Sequence, residues 1–133
     1  MEFLKQYQIL LKKAKADLKA SKILLIDFEK GDDELDLETI MFHLQQCAEK
    51  LLKSILSYNN QHFTKTHDIK ILIEAIKENA ISTIDEIEDL IPLTDYAVEG
   101  RYSILHDDLN DTGKYITLLE QLKIAVEDII KND

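Results

Sequence analysis

A stripe of apolar residues at helical spacing constrains the fold more than any other feature of this chain. Spacings of three and four place these side chains on one side of an α-helix for more than five turns, and such a helix must bury that side against its neighbours. We therefore predict a central core helix that begins near Asp36 and ends at residues 59–61. The stripe comprises Leu37, Ile40, Met41, Leu44, Cys47, Ala48, Leu51, Leu52, Ile55 and Tyr58.

Two further amphipathic segments flank this helix in the sequence. Residues 2–28 repeat the apolar spacing, and five lysines occupy the rest of the predicted helix surface. Gly31 and the two aspartates that follow it then favour a turn. On the other side, Thr66 predicts the N-cap of a third helix that extends to Ile76.

The second half of the chain predicts two more helices and a connection. Ser82 and Asp85 have the spacing of an acidic capping box and predict the start of a fourth helix. Pro92 should kink this helix or stop it near residue 90, because proline lacks an amide donor and clashes with the preceding turn. Gly100 predicts the end of the fourth helix. Residues 101–111 are expected to form a connection, and residues 114–131 are expected to form the last helix.

The composition favours one all-helical domain. The 133 residues include only three Gly and a single Pro, which leaves few of the turns that a sheet protein requires. We therefore predict a single all-α domain over residues 1–133.

No apolar run approaches the ~20 residues of a membrane span, and the first residues are unlike a signal peptide, so we expect a cytoplasmic protein. The lone Cys47 is expected to be a small core residue rather than a reactive thiol.

The charge of the chain restricts its ligands. A net charge of −10 argues against a general nucleic-acid binder, since such proteins gain affinity by neutralising phosphates with clustered Lys and Arg. The charge is uneven, because residues 1–30 hold seven Lys whereas residues 78–111 hold ten acids and a single Arg. The lysine-rich helix is either a solvated face or a surface for nucleic acid or a partner protein.

One pair of residues in the predicted connection suggests a reaction. Metal-independent cleavage of RNA requires a titratable group that takes the proton of a ribose 2′-hydroxyl and a permanent cation that holds the charge on the phosphate. His106 and Arg101 are residues of these two types. Asp107 and Asp108 should favour the protonated form of His106, which suits a general acid. The alternative is that Arg101 pairs with one of these carboxylates and only ties the connection to the bundle.

The remaining histidines have simpler interpretations. His43 lies on the core helix and is expected to be a partly buried structural residue. His67 and Asp68 are expected to cap the third helix, where an aspartate complements the helix dipole. Neither these residues nor any others show the spacing of a metal site, and the chain has no glycine-rich phosphate loop.

Polar residues on the core helix are also candidates. Gln45 and Gln46, together with Glu49, have groups that can hydrogen-bond a base or a ribose, although amides on a helix flank usually contact solvent or a neighbouring helix. Glu49 and Lys53 are four positions apart and are expected to form an ion pair.

Three segments of the chain together resemble a known family. They are residues 42–56, with the sequence FHLQQCAEKLLKSIL, the tripeptide that begins at His67, and Tyr96 with the dipeptide Arg101-Tyr102. These segments resemble the HEPN domain family (higher eukaryotes and prokaryotes nucleotide-binding), in particular the subgroup with an Arg-Tyr dipeptide and an Arg-x4-His motif. They span roughly half of the chain.

This resemblance implies an up-and-down bundle of four to five helices that usually dimerises. Members are often encoded beside a minimal nucleotidyltransferase in toxin–antitoxin or defence systems. Many are ribonucleases whose signature is an arginine, four to six residues and a histidine, and Arg101 and His106 fit this spacing. Two positions depart from the pattern: Tyr102 replaces the usual small polar residue, and Asp108 replaces a tyrosine that is nucleotidylated in silenced members.

The spacing of Arg101 and His106 itself favours a dimer. Five positions on a regular helix turn through about 500° and leave the two side chains about 140° apart. One chain can hardly make them converge, whereas a symmetric dimer can bring both copies into one cleft.

Two functions therefore remain open. The first is a metal-independent endoribonuclease that acts as a homodimer, with Arg101 and His106 as catalytic residues. The second is a non-catalytic module that binds a nucleotide or a nucleotidyltransferase antitoxin partner. In either case, Tyr102, Gln46 and Lys50 are expected to bind the RNA or nucleotide, and neither a metal nor a cofactor is expected.

Overall fold

The computed structural model describes residues 4–63, 65–97 and 109–130. This part of the chain contains four α-helices, one 3₁₀ helix and no strand, which confirms the predicted all-α fold. In chain order the elements are α1 (Gln6–Glu29), α2 (Leu37–Tyr58), α3 (Ile69–Glu78), the 3₁₀ helix (Ile87–Tyr96) and α4 (Leu109–Ile130). Within the described ranges, none of these helices is both long and apolar enough to cross a membrane.

Helix α2 is the central element, as predicted. More than half of its residues are buried, and all four other described helices contact it. Its N-cap is Asp36, whose carboxylate accepts a hydrogen bond from the Thr39 amide at 2.7 Å, and its C-cap is Asn59. Asn60 follows with a positive φ of 57°, a conformation that asparagine tolerates better than most residues.

Helices α1 and α4 run antiparallel to one another, and α1 also runs antiparallel to α2. The Ser54 hydroxyl donates to the Tyr7 carbonyl at 2.8 Å, which pairs the start of α1 with the end of α2. Lys15 on α1 forms an ion pair with Glu127 near the end of α4, at 3.1 Å. Helices α2 and α4 therefore run in the same direction, with their first turns side by side.

The prediction of a fourth α-helix with a capping box at Ser82 and Asp85 is wrong. The chain instead forms a 3₁₀ helix that begins at Ile87, has no side-chain cap and continues through Pro92. The physical reason is the spacing of the buried residues, which recur every third position, the period of a 3₁₀ helix. These residues are Ile87, Leu90, Leu93 and Tyr96.

Three helix starts also differ from prediction. Helix α1 begins at Gln6 rather than residue 2, because Lys5 is extended and its amide donates to the Gln8 side chain at 2.8 Å. The N-cap of α3 is Asp68 rather than Thr66, and Asp68 accepts a hydrogen bond from the Lys70 amide at 2.9 Å. Helix α4 begins at residue 109, within the predicted connection, since an acidic first turn suits a helix start.

Loss of a core side chain from α2 should destabilise the protein far more than loss of an exposed one. Leu51 is fully buried, so we expect Leu51→Ala to lower the free energy of unfolding by about 2–5 kcal/mol. Ile124 is 55% exposed, and Ile124→Ala should cost less than about 0.5 kcal/mol. Urea denaturation of both variants measures the difference, and equal costs would contradict the assignment of α2 as the core helix.

Candidate functional site

The three predicted site residues of the connection, Arg101, Tyr102 and His106, lie outside the described residues. The described residues that precede and follow them are fixed to the bundle. Thr94 accepts a hydrogen bond from the Ile69 amide at the start of α3, at 3.1 Å. Thr112 on α4 is buried, and its hydroxyl donates to the sulfur of Met41 on α2 at 3.7 Å.

The two other predicted binding residues, Gln46 and Lys50, lie one turn apart on α2. The Gln46 amide donates to the Gln45 side-chain oxygen at 2.7 Å. The Lys50 ammonium is 2.5 Å from the Asp17 carboxylate, and about a quarter of its side chain is exposed. The Gln46 amide and the Lys50 ammonium therefore both contact other side chains of the protein, and both residues are partly exposed.

Asp17 is the centre of a first polar cluster, which joins α1 to α2. Its second carboxylate oxygen lies 3.2 Å from Nδ1 of His43. His43 is partly buried, in agreement with the structural role expected for it. A lysine and a histidine of α2 therefore share one carboxylate of α1, and this arrangement fixes the register between the two helices.

Glu49 is the centre of a second polar cluster, which we call the Glu49 cluster. Glu49 is only 6% exposed, and Gln45, one turn earlier, is fully buried. One carboxylate oxygen of Glu49 accepts from Lys53 at 2.8 Å, which confirms the expected ion pair. The other accepts from the Gln45 amide at 3.0 Å and lies 2.8 Å from Nδ1 of His67.

These hydrogen bonds determine the ionisation of Glu49. Burial by itself would raise the pKa of this carboxyl group, but the hydrogen bonds from Lys53, His67 and Gln45 outweigh burial and lower the pKa below its usual 4.5. Glu49 is therefore an anion at neutral pH. An ionised carboxylate can only accept hydrogen bonds, so Nδ1 of His67 must carry the proton. Nε2 is then the ring nitrogen of His67 that Glu49 does not hold.

The His67 ring is held in place at Nδ1 and is also accessible to solvent. Its side chain is 63% exposed, while the buried Glu49 holds Nδ1 and the Gln45 amide donates to the His67 carbonyl at 3.3 Å. His67 and Asp68 were both expected to cap α3, but the cap hydrogen bond is made by Asp68. The signal for a site was the pair of large polar residues, Gln45 and Glu49, on a helix whose other buried side chains are apolar except for Ser54.

A second surface feature lies between α1 and α4. It is a groove of about 470 Å³, which we call the basic groove. Ile23 and Ile26 are about half exposed there. Glu127 pairs with Lys15, and Glu120 pairs with both Lys22 and Lys123, so carboxylates pair with three of the four lining lysines. The lining residues are Lys15, Leu18, Lys19, Lys22, Ile23, Ile26 and Lys123.

Cys47 is buried beside the Asp17 cluster, as predicted for a core residue. Burial and the nearby Asp17 carboxylate raise the pKa of its thiol to about 12, despite the opposing charges of neighbouring lysines. The reactive species of a cysteine is its thiolate, so this thiol is inert in the folded protein.

Comparison with known proteins identifies one family. A family model for the HEPN domain matches residues 7–129, almost the whole chain, and this range includes both polar clusters. No curated protein and no solved structure matches the chain significantly. In the ranges that the structure describes, no three His, Cys, Asp or Glu side chains are grouped so that they could hold a metal ion.

Substitution of Glu49 should destabilise the fold in a pH-dependent way. We expect Glu49→Gln to lower the free energy of unfolding at pH 7 by about 1.5–3 kcal/mol, because buried hydrogen bonds to a charged group are lost. Since the folded pKa of Glu49 is lowered, its contribution is present above the unfolded value near 4.5 and disappears as the pH falls through the folded pKa. Urea titrations from pH 7 to pH 3 should show the wild type and the variant converging.

Glu74→Gln is the matched control for this experiment. Glu74 is exposed on α3, so its substitution should change stability little at any pH. A difference between wild type and Glu49→Gln that stays constant down to pH 3 would show that the ionised carboxylate is not the stabilising group.

The thiol of Cys47 should react only when the protein opens. With a pKa of about 12, almost no thiolate exists at pH 8, and the side chain is also inaccessible. We expect Ellman's reagent to label the native protein slowly and the urea-unfolded protein at once. Labelling of the native protein at the rate of a free thiol would contradict this description of the core.

Proposed function

Because the chain belongs to the HEPN domain family, we propose that it is a metal-independent endoribonuclease that acts as a homodimer. The observation that carries this proposal is the Arg101-x4-His106 motif inside the matched range. A titratable histidine and a permanent cation are the two groups that cleavage of RNA by its own 2′-hydroxyl requires. We also propose that residues 1–133 form one domain.

The proposed reaction is an internal transesterification. The ribose 2′-oxygen attacks the adjacent phosphorus, the bond from phosphorus to the 5′-oxygen breaks, and the product ends in a 2′,3′-cyclic phosphate. His106 takes part as a general acid or base, and Arg101 stabilises the charge that grows on the phosphate oxygens. The reaction needs no metal, and it is confined to RNA because DNA lacks the attacking hydroxyl.

The homodimer belongs to the proposed active site. On regular helical geometry Arg101 and His106 would point about 140° apart, so convergence within one chain is poor. A two-fold axis brings two copies of each residue to one cleft. We propose that Tyr102, Gln46 and Lys50 bind the RNA or nucleotide near this cleft.

A nuclease of this kind requires restraint in the cell. We propose a nucleotidyltransferase antitoxin as the partner, in keeping with the gene neighbours implied by the family resemblance, and the cytoplasm as the compartment. Asp108 occupies the position of the tyrosine that is modified in silenced members, so the partner would restrain this protein by binding or at another residue.

The basic groove favours a second candidate function. In a protein with a net charge of −10, a groove lined by four lysines and two half-exposed isoleucines is suited to an anionic partner surface. The second candidate is a non-catalytic module that binds a nucleotide or the nucleotidyltransferase through this region. It predicts binding without cleavage, which isothermal titration with nucleotides or with the partner measures directly.

Cleavage of RNA in EDTA tests the first proposal. We expect purified wild-type protein to degrade a mixed RNA pool, and His106→Ala and Arg101→Ala to lower the rate by about 100-fold or more. His62→Ala is the matched control, because His62 is exposed and belongs to neither polar cluster, and it should cleave like wild type.

A mixture of the two inactive variants tests the dimer. If one cleft uses residues of both chains, heterodimers of Arg101→Ala and His106→Ala keep one arginine and one histidine and should recover part of the activity. Absence of cleavage by wild type would reject the nuclease and leave the binding module as the function.

A further inference from the structure

We propose that the basic groove between α1 and α4 is the docking site of an acidic amphipathic helix of a partner protein. The groove takes the apolar side chains of this helix, and the lysines along it pair with its carboxylates. This inference rests on the second candidate function and deepens it, because it states the chemistry of the partner. It does not depend on RNA cleavage, and every lining residue of the groove lies in the described part of the chain.

The shape of the groove favours a helix. Its α1 side runs from Lys15 to Ile26, which is about 16 Å of helix, or three turns. Spread over this length, a volume of about 470 Å³ has a cross-section too small for a whole helix, which is about 10 Å wide. The groove therefore holds the side chains of one helical face, and the partner backbone lies above α1 and α4.

Apolar side chains are exposed along this helix pair. On α1, Ile23 is 51% exposed and Ile26 is 52% exposed. On α4, Ile124 is 55% exposed and lies on the α1 side, because it is four positions after Glu120 and three before Glu127, which both pair with lysines of α1. An apolar stripe of a partner would remove the area of all three isoleucines from water.

The charge of the groove determines the charge of the partner. Four lysines line it, and the carboxylates of Glu120 and Glu127 pair with three of them. Lys19 is exposed and has no ion-pair partner among the described residues. Four ammonium groups against two carboxylates leave an excess of two positive charges, in a chain whose net charge is −10. The complementary partner is acidic.

The ion pairs already present leave room for this partner. The side chains of Lys15 and Lys22 are 47% and 44% exposed, so water screens their pairs and the pairs contribute little to stability. Each ammonium group also has three donors. A lysine can therefore keep its own carboxylate and donate a second hydrogen bond to a carboxylate of the partner.

The combination of exposed isoleucines with lysines favours a protein helix over a nucleic acid. A phosphate backbone would pair with the lysines and cover the isoleucines poorly. A helix with apolar residues at spacings of three and four, and with Glu or Asp on both sides of that stripe, satisfies both.

Binding of a synthetic peptide tests the proposal. The probe is a fluorescein-labelled peptide of about 18 residues, or five helical turns, with leucine at spacings of three and four and glutamate beside the stripe. A second peptide has lysine in place of every glutamate. We expect fluorescence anisotropy to show that the acidic peptide binds at least about tenfold more tightly than the basic one. Added salt should weaken this binding, because it screens the charges.

Two groove variants and two matched controls locate the binding site. We expect Lys19→Glu and Ile23→Glu each to weaken binding of the acidic peptide by about tenfold or more, because each places a carboxylate against its glutamates. Lys70→Glu and Ile71→Glu make the same changes at exposed positions of α3, which contacts neither α1 nor α4 in the described chain. Both controls should bind like wild type, and all four variants should keep the urea midpoint of wild type.

Each other outcome overturns the proposal. Absence of binding by the acidic peptide, or equal weakening by the α3 controls, rejects the docking site. If an RNA oligonucleotide binds in place of the acidic peptide and Lys19→Glu weakens it, the groove takes nucleic acid. Self-association of the wild type that both groove variants abolish assigns the groove to a second copy of the chain.

The second candidate function can survive the failure of this inference. Nucleotide binding in isothermal titration, without binding of the acidic peptide, rejects the acidic helix and leaves the binding module intact. Absence of binding by nucleotides, by the nucleotidyltransferase and by the acidic peptide rejects both.

Discussion

Every other described helix of this protein packs on α2, and the burial of that helix is the constraint on which the structure depends. An amphipathic surface helix needs one apolar face, but a helix with neighbours on several sides must be apolar around most of its circumference. Polar residues on such a helix have to be compensated, since an unpaired buried polar group costs more than a hydrogen bond returns. The two polar clusters follow from this requirement.

Both clusters give hydrogen-bond partners to polar side chains of α2, but they leave their histidines in different surroundings. At Asp17, the carboxylate belongs to α1, and the lysine and histidine of α2 both turn towards it, so the contact serves to align two helices. At Glu49, the carboxylate belongs to α2 itself and is the buried partner, while the histidine that it holds projects outward. The His67 side chain is 63% exposed and that of His43 is 30% exposed, so the second arrangement presents its imidazole more fully to solvent.

The sequence predicted the helical class and a central helix that begins near Asp36, because these depend on periodicity and on contacts within a few residues. It did not predict the 3₁₀ helix, although buried residues at positions 87, 90, 93 and 96 carry the period of three. The assumption that Pro92 must interrupt a helix concealed that pattern. The contact between Glu49 and His67 was beyond prediction for another reason: the two residues are 18 positions apart, and no local rule places them within hydrogen-bond distance.

The antiparallel pair of α1 and α2 has a consequence for the order of folding. Only the short turn of residues 30–36 separates these helices, so their contacts are local in sequence and can form early. Helix α4 is separated from α2 by the fifty residues 59–108, and its contacts with α2 are more costly in chain entropy. During synthesis the hairpin can assemble with Glu49 already paired to Lys53 on the same helix. His67 follows this hairpin in the chain, so its imidazole would be added to a carboxylate that Lys53 already holds.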